Sequence, residues 1–350
     1  MAVKETDKGR VMDSTDPSVT ARYRFNDIFS TAWLSHALSA LANNGVPDLI
    51  STEPTSYIDV AKQADLHAPS LYRALRAVAA NGIFIEYPGG LFGHNETSVL
   101  LKTDHPYSWK GMASMWNHPS CLQGWSKFSE CLKDGRSGIQ HAFGTTLYEH
   151  LEQIPGGTLA FSNAMISNSA HPSVSIANNF AFEKYNLVND LGGGIGTLLC
   201  KILETHPKLS GIIYEIEELK LPAEQLIRSC GLTERASVEV GNFLEFVPPG
   251  ADLFMVKNSL WNWNDEQCSK IINNVREASK ERKAQFLIIE YIIDGNNASW
   301  TTLYDLQILN MPGGRARTLA EYKKLLEENN FAIDSIDVVE DETLILASPK

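Results

Sequence analysis

NDLGGGIGTLLCKIL, residues 189–203, joins a short apolar run, LVNDL, to an amphipathic stretch through four glycines. Glycines at such a junction allow a tight turn and let the backbone approach a ligand closely. A buried strand, a glycine turn and a helix in succession open a βαβ unit, so the reading extends outward from here. Downstream, GIIYEI, ASVEV, DLFMVKN and QFLIIEYI read as further strands, and FAIDSIDVV and TLILASP follow near the C-terminus. Helical patterns fall between most of them, which is the signal for a parallel sheet with helices on both faces. The expectation is an α/β, doubly wound open sheet whose ligands bind at the carboxyl ends of the strands.

The first loop offers a ligand class. The second strand ends in Glu215, 23 residues after Gly192, and an acidic side chain there can accept hydrogen bonds from both hydroxyls of a ribose. Glycine loop and acid together predict an adenosine-containing cofactor. Two candidates stand, NAD and S-adenosylmethionine. The order Asp190-x-Gly192-x-Gly194-x-Gly196 puts an acid before the glycines and lacks the third glycine at dinucleotide spacing, which favours S-adenosylmethionine, a molecule with no pyrophosphate to cradle.

Upstream the pattern is helical. Residues 21–49 carry apolar side chains at helical spacing, punctuated by Gly45 and Pro47. The stretch YIDVAKQADLHAPSLYRALRAVAANGIFIEYPGGLFGH then reads as a helix, a turn at His67-Ala68-Pro69, a second helix and a hairpin turning at Pro88-Gly89-Gly90. That is a winged helix-turn-helix pattern. Its second helix, 70–81, brings only Arg73 and Arg76, and the chain has a net charge of −12, so packing or dimerisation is expected and nucleic acid is not a partner. No apolar run approaches the ~18 residues that span a bilayer, so no membrane partner is expected. The polar N-terminus reads as a loose tail over 1–18 and not as a signal peptide. Five scattered cysteines without metal spacing suit a reduced, cytoplasmic protein with no metal site. Residues 105–178 read as several helices rich in Trp, Met, Phe and His.

From about residue 20 to the end, the chain resembles the class I S-adenosylmethionine-dependent small-molecule O-methyltransferases of natural-product pathways. LVNDLGGGIG, YEIEEL, GNFLEFVPPGAD, VKNSLWNWNDE and DLQILNMPGGRARTLAEYKKLL match that family's motifs in order. The resemblance implies a winged-helix dimerisation domain over 19–104, a helical substrate lid over 105–178, a methyltransferase domain over 179–350, and a homodimer acting on a small-molecule substrate. It places Gly192 and Gly194 against the methionine part of the cofactor, Glu215 on the ribose, Asn242 and Phe243 by the adenine, and Lys257 beside the cofactor. Asn242 stands where an aspartate is usual, and its amide can still hydrogen-bond adenine.

One departure bears on chemistry. Where the family reads His-Asp-Trp, with the histidine as the base that deprotonates the substrate hydroxyl, this chain has Trp261, Asn262 and Trp263. Of the two glutamates that orient the histidine, one is kept as Glu290 and the other is replaced by Ala316. An indole N–H donates and cannot accept at useful pH, so Trp261 cannot replace the histidine as a base. It either fills the cavity or forms an aromatic wall for a flat substrate or the sulfonium charge. His118, on the expected lid, is the nearest spare imidazole. Three routes follow: methyl transfer to an acceptor that needs no base; a repurposed enzyme that binds S-adenosylmethionine but runs a non-methylating reaction, such as a pericyclase or cyclase step; or a non-catalytic binding protein.

Overall fold

The computed structural model describes residues 17–350. Most of the tail expected over 1–18 lies outside the described residues, and Pro17 and Ser18 already belong to the first helix. The chain divides into two compact units, one ending at His118 and the other running Pro119–Lys350. Residues 105–178 are thus shared between the two.

In the N-terminal unit a long helix, Pro17–Asn43, is stopped at Gly45, whose φ of +66° suits a residue without Cβ. Strand β1 (Thr55–Ser56) leads into the helix Tyr57–Gln63, capped by the Ser56 side chain, which accepts from the Ile58 N–H. Helix Ala68–Ala80 starts with Pro69 in its first turn, where a missing N–H costs nothing, and is followed by the hairpin β2 (Ile85–Tyr87) and β3 (Leu91–Gly93). The strands pair antiparallel in the order β1-β3-β2. Leu71, Leu75 and Val78 stand at helical spacing and bury one face of that helix on Val60, Phe84 and Phe92. This is the winged helix the sequence pattern predicts. On the long first helix, Phe25, Ile28, Phe29 and Trp33 also share one face, yet they are exposed, Trp33 by 72%.

The C-terminal unit begins with short helices, then a long one, Gly157–Asn179. Its seven-stranded sheet uses β4 (Leu187–Leu191), β5 (Ser210–Glu215), β6 (Ala236–Val240), β7 (Leu253–Lys257), β8 (Gln285–Glu290), β9 (Phe331–Val339) and β10 (Glu342–Pro349), in the order β6-β5-β4-β7-β8-β10-β9. Pairs β4–β5, β5–β6, β4–β7 and β7–β8 are parallel. Strand β10 departs from that rule and runs antiparallel to both β8 and β9. The reason is local: only Glu340 and Asp341 separate β9 from β10, with Glu340 at φ +54°, so the two strands form a hairpin and no crossover helix fits between them.

Alternation along the strands builds two cores. Phe254, Val256, Phe286 and Ile288 face one side and pack on Ile271, Ile272 and Val275 of helix Asp265–Ser279 and on Tyr322 and Leu326 of helix Leu319–Glu328. Leu253, Met255, Leu287 and Ile289 face the other and pack with Leu199 and Ile202 of helix Thr197–Thr205, Ala223 and Ile227 of helix Glu217–Ser229, and Ile176 of the long helix. Burial on both faces leaves the carboxyl edge of the sheet as the place for polar chemistry.

Candidate active site

At that edge β4 ends in Asp190-Leu191 and turns through the glycine loop. Gly192 has φ +67°, and a Cβ there would lie 2.9 Å from the Phe243 ring; at Gly194 it would meet nothing nearer than Ser162 Oγ at 4.0 Å. The loop is therefore packed against Phe243 at one glycine and open above the other. Glu215 closes β5, and its Oε1 accepts the Gly194 N–H at 3.3 Å while Oε2 accepts the Ile216 N–H. Burial pushes the Glu215 carboxyl up to about 7, against the lowering effect of those two amide bonds. Asp190, almost fully buried, is pushed up to about 7 mainly by burial, then by the nearby Glu215, with Lys257 acting in the opposite sense. Gly192, Gly194, Glu215 and Phe243 are thus brought together. An open glycine cradle beside a carboxyl group with two acceptor oxygens fits the ribose and amino-acid parts of an adenosyl cofactor.

Asn242 lies in the loop after β6 and is exposed. Its Oδ1 accepts the Leu244 N–H at 3.0 Å and its Nδ2 donates to Glu245 Oε1 at 3.2 Å, so the side chain shapes its own turn. Lys257 closes β7. Its ammonium is buried and pairs with Glu342 Oε1 at 2.7 Å, 3.5 Å from Ser169 Oγ on the long helix.

Trp261 sits in a 3₁₀ turn, Leu260–Asn262, and is 3% exposed. Its ring packs on Tyr291 (centroids 5.7 Å) and Tyr304 (4.8 Å), in a cluster with Ile308 and Ala316. The indole N–H donates to the Asn258 carbonyl at 2.8 Å. Its one polar atom is therefore committed. Glu290, at the end of β8 and fully buried, accepts the N–H groups of Ser259, Leu260 and Trp261 on Oε1, at 3.0, 2.8 and 3.4 Å. Its Oε2 is buried with no hydrogen-bond partner. Burial pushes this carboxyl up to about 8, against the lowering effect of the three amides. From the opposite side Arg317, fully buried, donates to the carbonyls of Leu260 (3.3 Å) and Trp263 (2.9 Å), and the Arg315 N–H to that of Trp261 (2.8 Å). The backbone of 259–263 is clamped through its amides by one buried side chain and through its carbonyls by another.

His118 is exposed and ends the N-terminal unit, with its N–H on the Met115 carbonyl; it is not part of the unit that carries the glycine loop.

Three residues near the site carry no sequence signal of their own. Tyr148, on the helix Leu147–Gln153, stacks on Trp263 (5.5 Å, 22°) and lies beside the Asn262 side chain; burial, then Glu215, drives its phenol well above the ordinary range. Asp305 accepts the Ala316 N–H on Oδ1 at 2.6 Å. Glu342 holds Lys257. Tyr148 and Glu342 act on residues far away in sequence and Asp305 on the loop after its own helix, and a lone Tyr, Asp or Glu in a helix or strand pattern does not announce that. Among the described residues no group of three or more His, Cys, Asp or Glu is placed to hold a metal ion. No described helix is long and apolar enough to cross a membrane.

Residues 125–332 match the O-methyltransferase domain family model. The chain is 28% identical over 335 residues to the mitomycin biosynthesis 6-O-methyltransferase of Streptomyces lavendulae, covering 95% of each. It is 26% identical over 317 residues to the 8-amino-8-demethylriboflavin N,N-dimethyltransferase of Streptomyces davaonensis, covering 90% of each. Its structure is similar, with a TM-score of 0.76 and 26% identity, to that of an O-methyltransferase from neocarzinostatin biosynthesis in complex with S-adenosylmethionine and 2-hydroxy-5-methyl naphthoic acid, covering 90% of this chain and 96% of that one.

Proposed function

The chain belongs to the O-methyltransferase domain family, and from that membership we propose that it methylates a small, flat natural product without a histidine base. It is a methyltransferase, and its cofactor is S-adenosylmethionine, the ligand present in the neocarzinostatin relative. When bound, that cofactor supplies an electrophilic methyl on a sulfonium. Gly194 gives its amino-acid part room, Gly192 lets Phe243 close in beside it, Glu215 accepts from the ribose hydroxyls, and Asn242 and Phe243 line the adenine side. Lys257 stands next to it at the end of β7.

One observation carries the base-free reading: Trp261 is buried in an aromatic cluster and its only polar atom is spent on the Asn258 carbonyl. It occupies the volume from which a base would project and takes no proton. General-base assistance is worth ~10²–10⁴ in rate, and an ordinary neutral phenol or alcohol forfeits it here. The acceptor must then present a lone pair without prior deprotonation, as an aromatic amine, a ring nitrogen or an already ionised acidic hydroxyl does. Alignment against the methyl supplies most of the acceleration. The dimethyltransferase relative, by its name, acts on an amino-substituted flavin, an acceptor of this kind. The test is mass analysis of products from matched aromatic amines and phenols incubated with S-adenosylmethionine. Addition of one methyl to the amine and none to the un-ionised phenol supports the reading; efficient methylation of the phenol at neutral pH sinks it.

A second reading rests on Glu290. A buried carboxyl pushed up to about 8 is largely protonated near neutrality, and its Oε2, which is buried and has no hydrogen-bond partner, would donate to developing negative charge only once the packing over it opened. With that group as polariser, the protein would hold S-adenosylmethionine unreacted and catalyse a non-methylating step, such as a pericyclic reaction or cyclisation. A product of unchanged mass, with the cofactor recovered intact, selects this reading.

The exposed face Phe25-Ile28-Phe29-Trp33 supports a homodimer, since four large apolar side chains on one helix face are costly in water. Ala37 of the same helix, with Ser70, Arg73, Ala74, Arg76, Ala77 and Ala80, lines a groove of about 530 Å³ on this unit. A monomer in sedimentation at micromolar concentration refutes this. The five unpaired cysteines suit a reducing, cytoplasmic setting.

A further inference from the structure

Resting on the assignment of S-adenosylmethionine as cofactor, we propose that Glu342 sets the site's preference for that cation over its neutral product, by cancelling the charge of Lys257. Lys257 closes β7 at the edge of the sheet where the glycine loop lies, and β7 pairs directly with β4, whose Asp190 aligns with Met255. The lysine side chain is 7% exposed and that of Glu342 1%, so neither charge is screened by solvent. Glu342 Oε1 takes both the Lys257 ammonium at 2.7 Å and the Asn258 amide at 3.0 Å, which fixes the carboxylate in place as the first residue of β10. Without that partner, a buried ammonium would stand at the carboxyl edge of β7 and repel a sulfonium. S-Adenosylhomocysteine differs from the reactant by one methyl and one unit of charge; the methyl's packing is common to all variants, so a change in the ratio of the two affinities between variants reads the local charge. A cleft with Lys257 unpaired would shift the balance of affinity toward the spent cofactor.

Calorimetry with S-adenosylmethionine and with S-adenosylhomocysteine, each alone, tests this without any acceptor. Glu342→Gln keeps the shape and removes the charge. It should raise the ratio of dissociation constants, methionine form over homocysteine form, roughly tenfold relative to the wild type, the size of one charge acting across several ångströms of protein. Lys257→Met should move the ratio the other way, and Lys257→Met with Glu342→Gln should bring it back to the wild-type value. This cycle also covers the case in which the glutamine variant alone fails to fold. A ratio that stays constant through the set, with both ligands weakened equally, overturns the proposal and reduces Glu342 to a packing residue. A wild-type protein that binds neither ligand overturns the cofactor assignment itself.

Discussion

Trp261→Ala puts the reading of the aromatic cluster at risk. The ring is 3% exposed and packs on Tyr291 and Tyr304, so removing it deletes a large buried surface and opens a cavity among side chains that are themselves held by neighbours. Truncation of a buried Phe or Trp to Ala costs about 3–5 kcal/mol. The lost indole donor leaves the Asn258 carbonyl without that bond, which adds about 1 kcal/mol. Taking a urea dependence of about 3 kcal/mol per molar, the midpoint should fall by roughly 1–2 M. The transition to follow, by far-UV circular dichroism, is the one that S-adenosylhomocysteine moves upward, because ligand linkage marks it as that of the unit that binds. Trp261→Phe, which keeps a ring and loses the N–H, should cost well under half as much. A midpoint in the alanine variant within about 0.3 M of the wild type, or about 1 kcal/mol, would refute the packing argument and leave Trp261 as a loosely held side chain facing ligand.

Glu215→Ala should weaken S-adenosylmethionine roughly 10- to 100-fold in calorimetry, the range for unpairing hydrogen-bonded polar groups, and unchanged affinity would remove Glu215 from the site. Stability of the ligand-free chain should fall as pH rises from about 5 to 8. Asp190 and Glu215 are pushed up to about 7 and Glu290 to about 8, so the folded state binds more protons than the unfolded state through that window. Melting temperatures at successive pH values would show the decline, Glu290→Gln should flatten its upper part, and a rise toward pH 8 would contradict it. Trp261→His with Ala316→Glu should lower native turnover, since the new carboxylate is buried and lies next to Asp305, which accepts the residue 316 N–H at 2.6 Å. Product analysis decides, and a gain in phenol methylation would mean an intact site that had lost only its base.

The glycine loop, the strand periodicities and the winged-helix punctuation were legible because each is written in consecutive residues. Strand β4 runs Leu187–Leu191 and the two helices of the winged unit run 57–63 and 68–80, close to where the sequence places them. The antiparallel direction of β10 could have been inferred from the short gap after Val339, had loop length been weighed against the parallel pattern. What stayed hidden depends on pairs far apart in the chain. Lys257 meets Glu342 and Tyr148 meets Trp263 only once distant elements are brought together, and Asp305 meets the Ala316 backbone only once the chain folds back after its helix. Asn242 shows the limit from the other side: its type fits an adenine contact, while its side chain bonds Leu244 and Glu245 within its own loop.

The double clamp on residues 259–263 has a consequence for how such a protein can change over generations. Glu290 grips the amides and Arg317 with Arg315 the carbonyls, so most of the bonds that set the path of the main chain there come from residues outside the turn, the Trp261 indole adding one to the Asn258 carbonyl. A substitution at 261 exchanges what the scaffold presents without moving where it is presented. Delivery and cargo are encoded by separate residues. The indole at 261 is itself packed on Tyr291 and Tyr304, so a lineage that exchanges this side chain must refill the aromatic cluster around it, and the clamp holds the turn in place while it does.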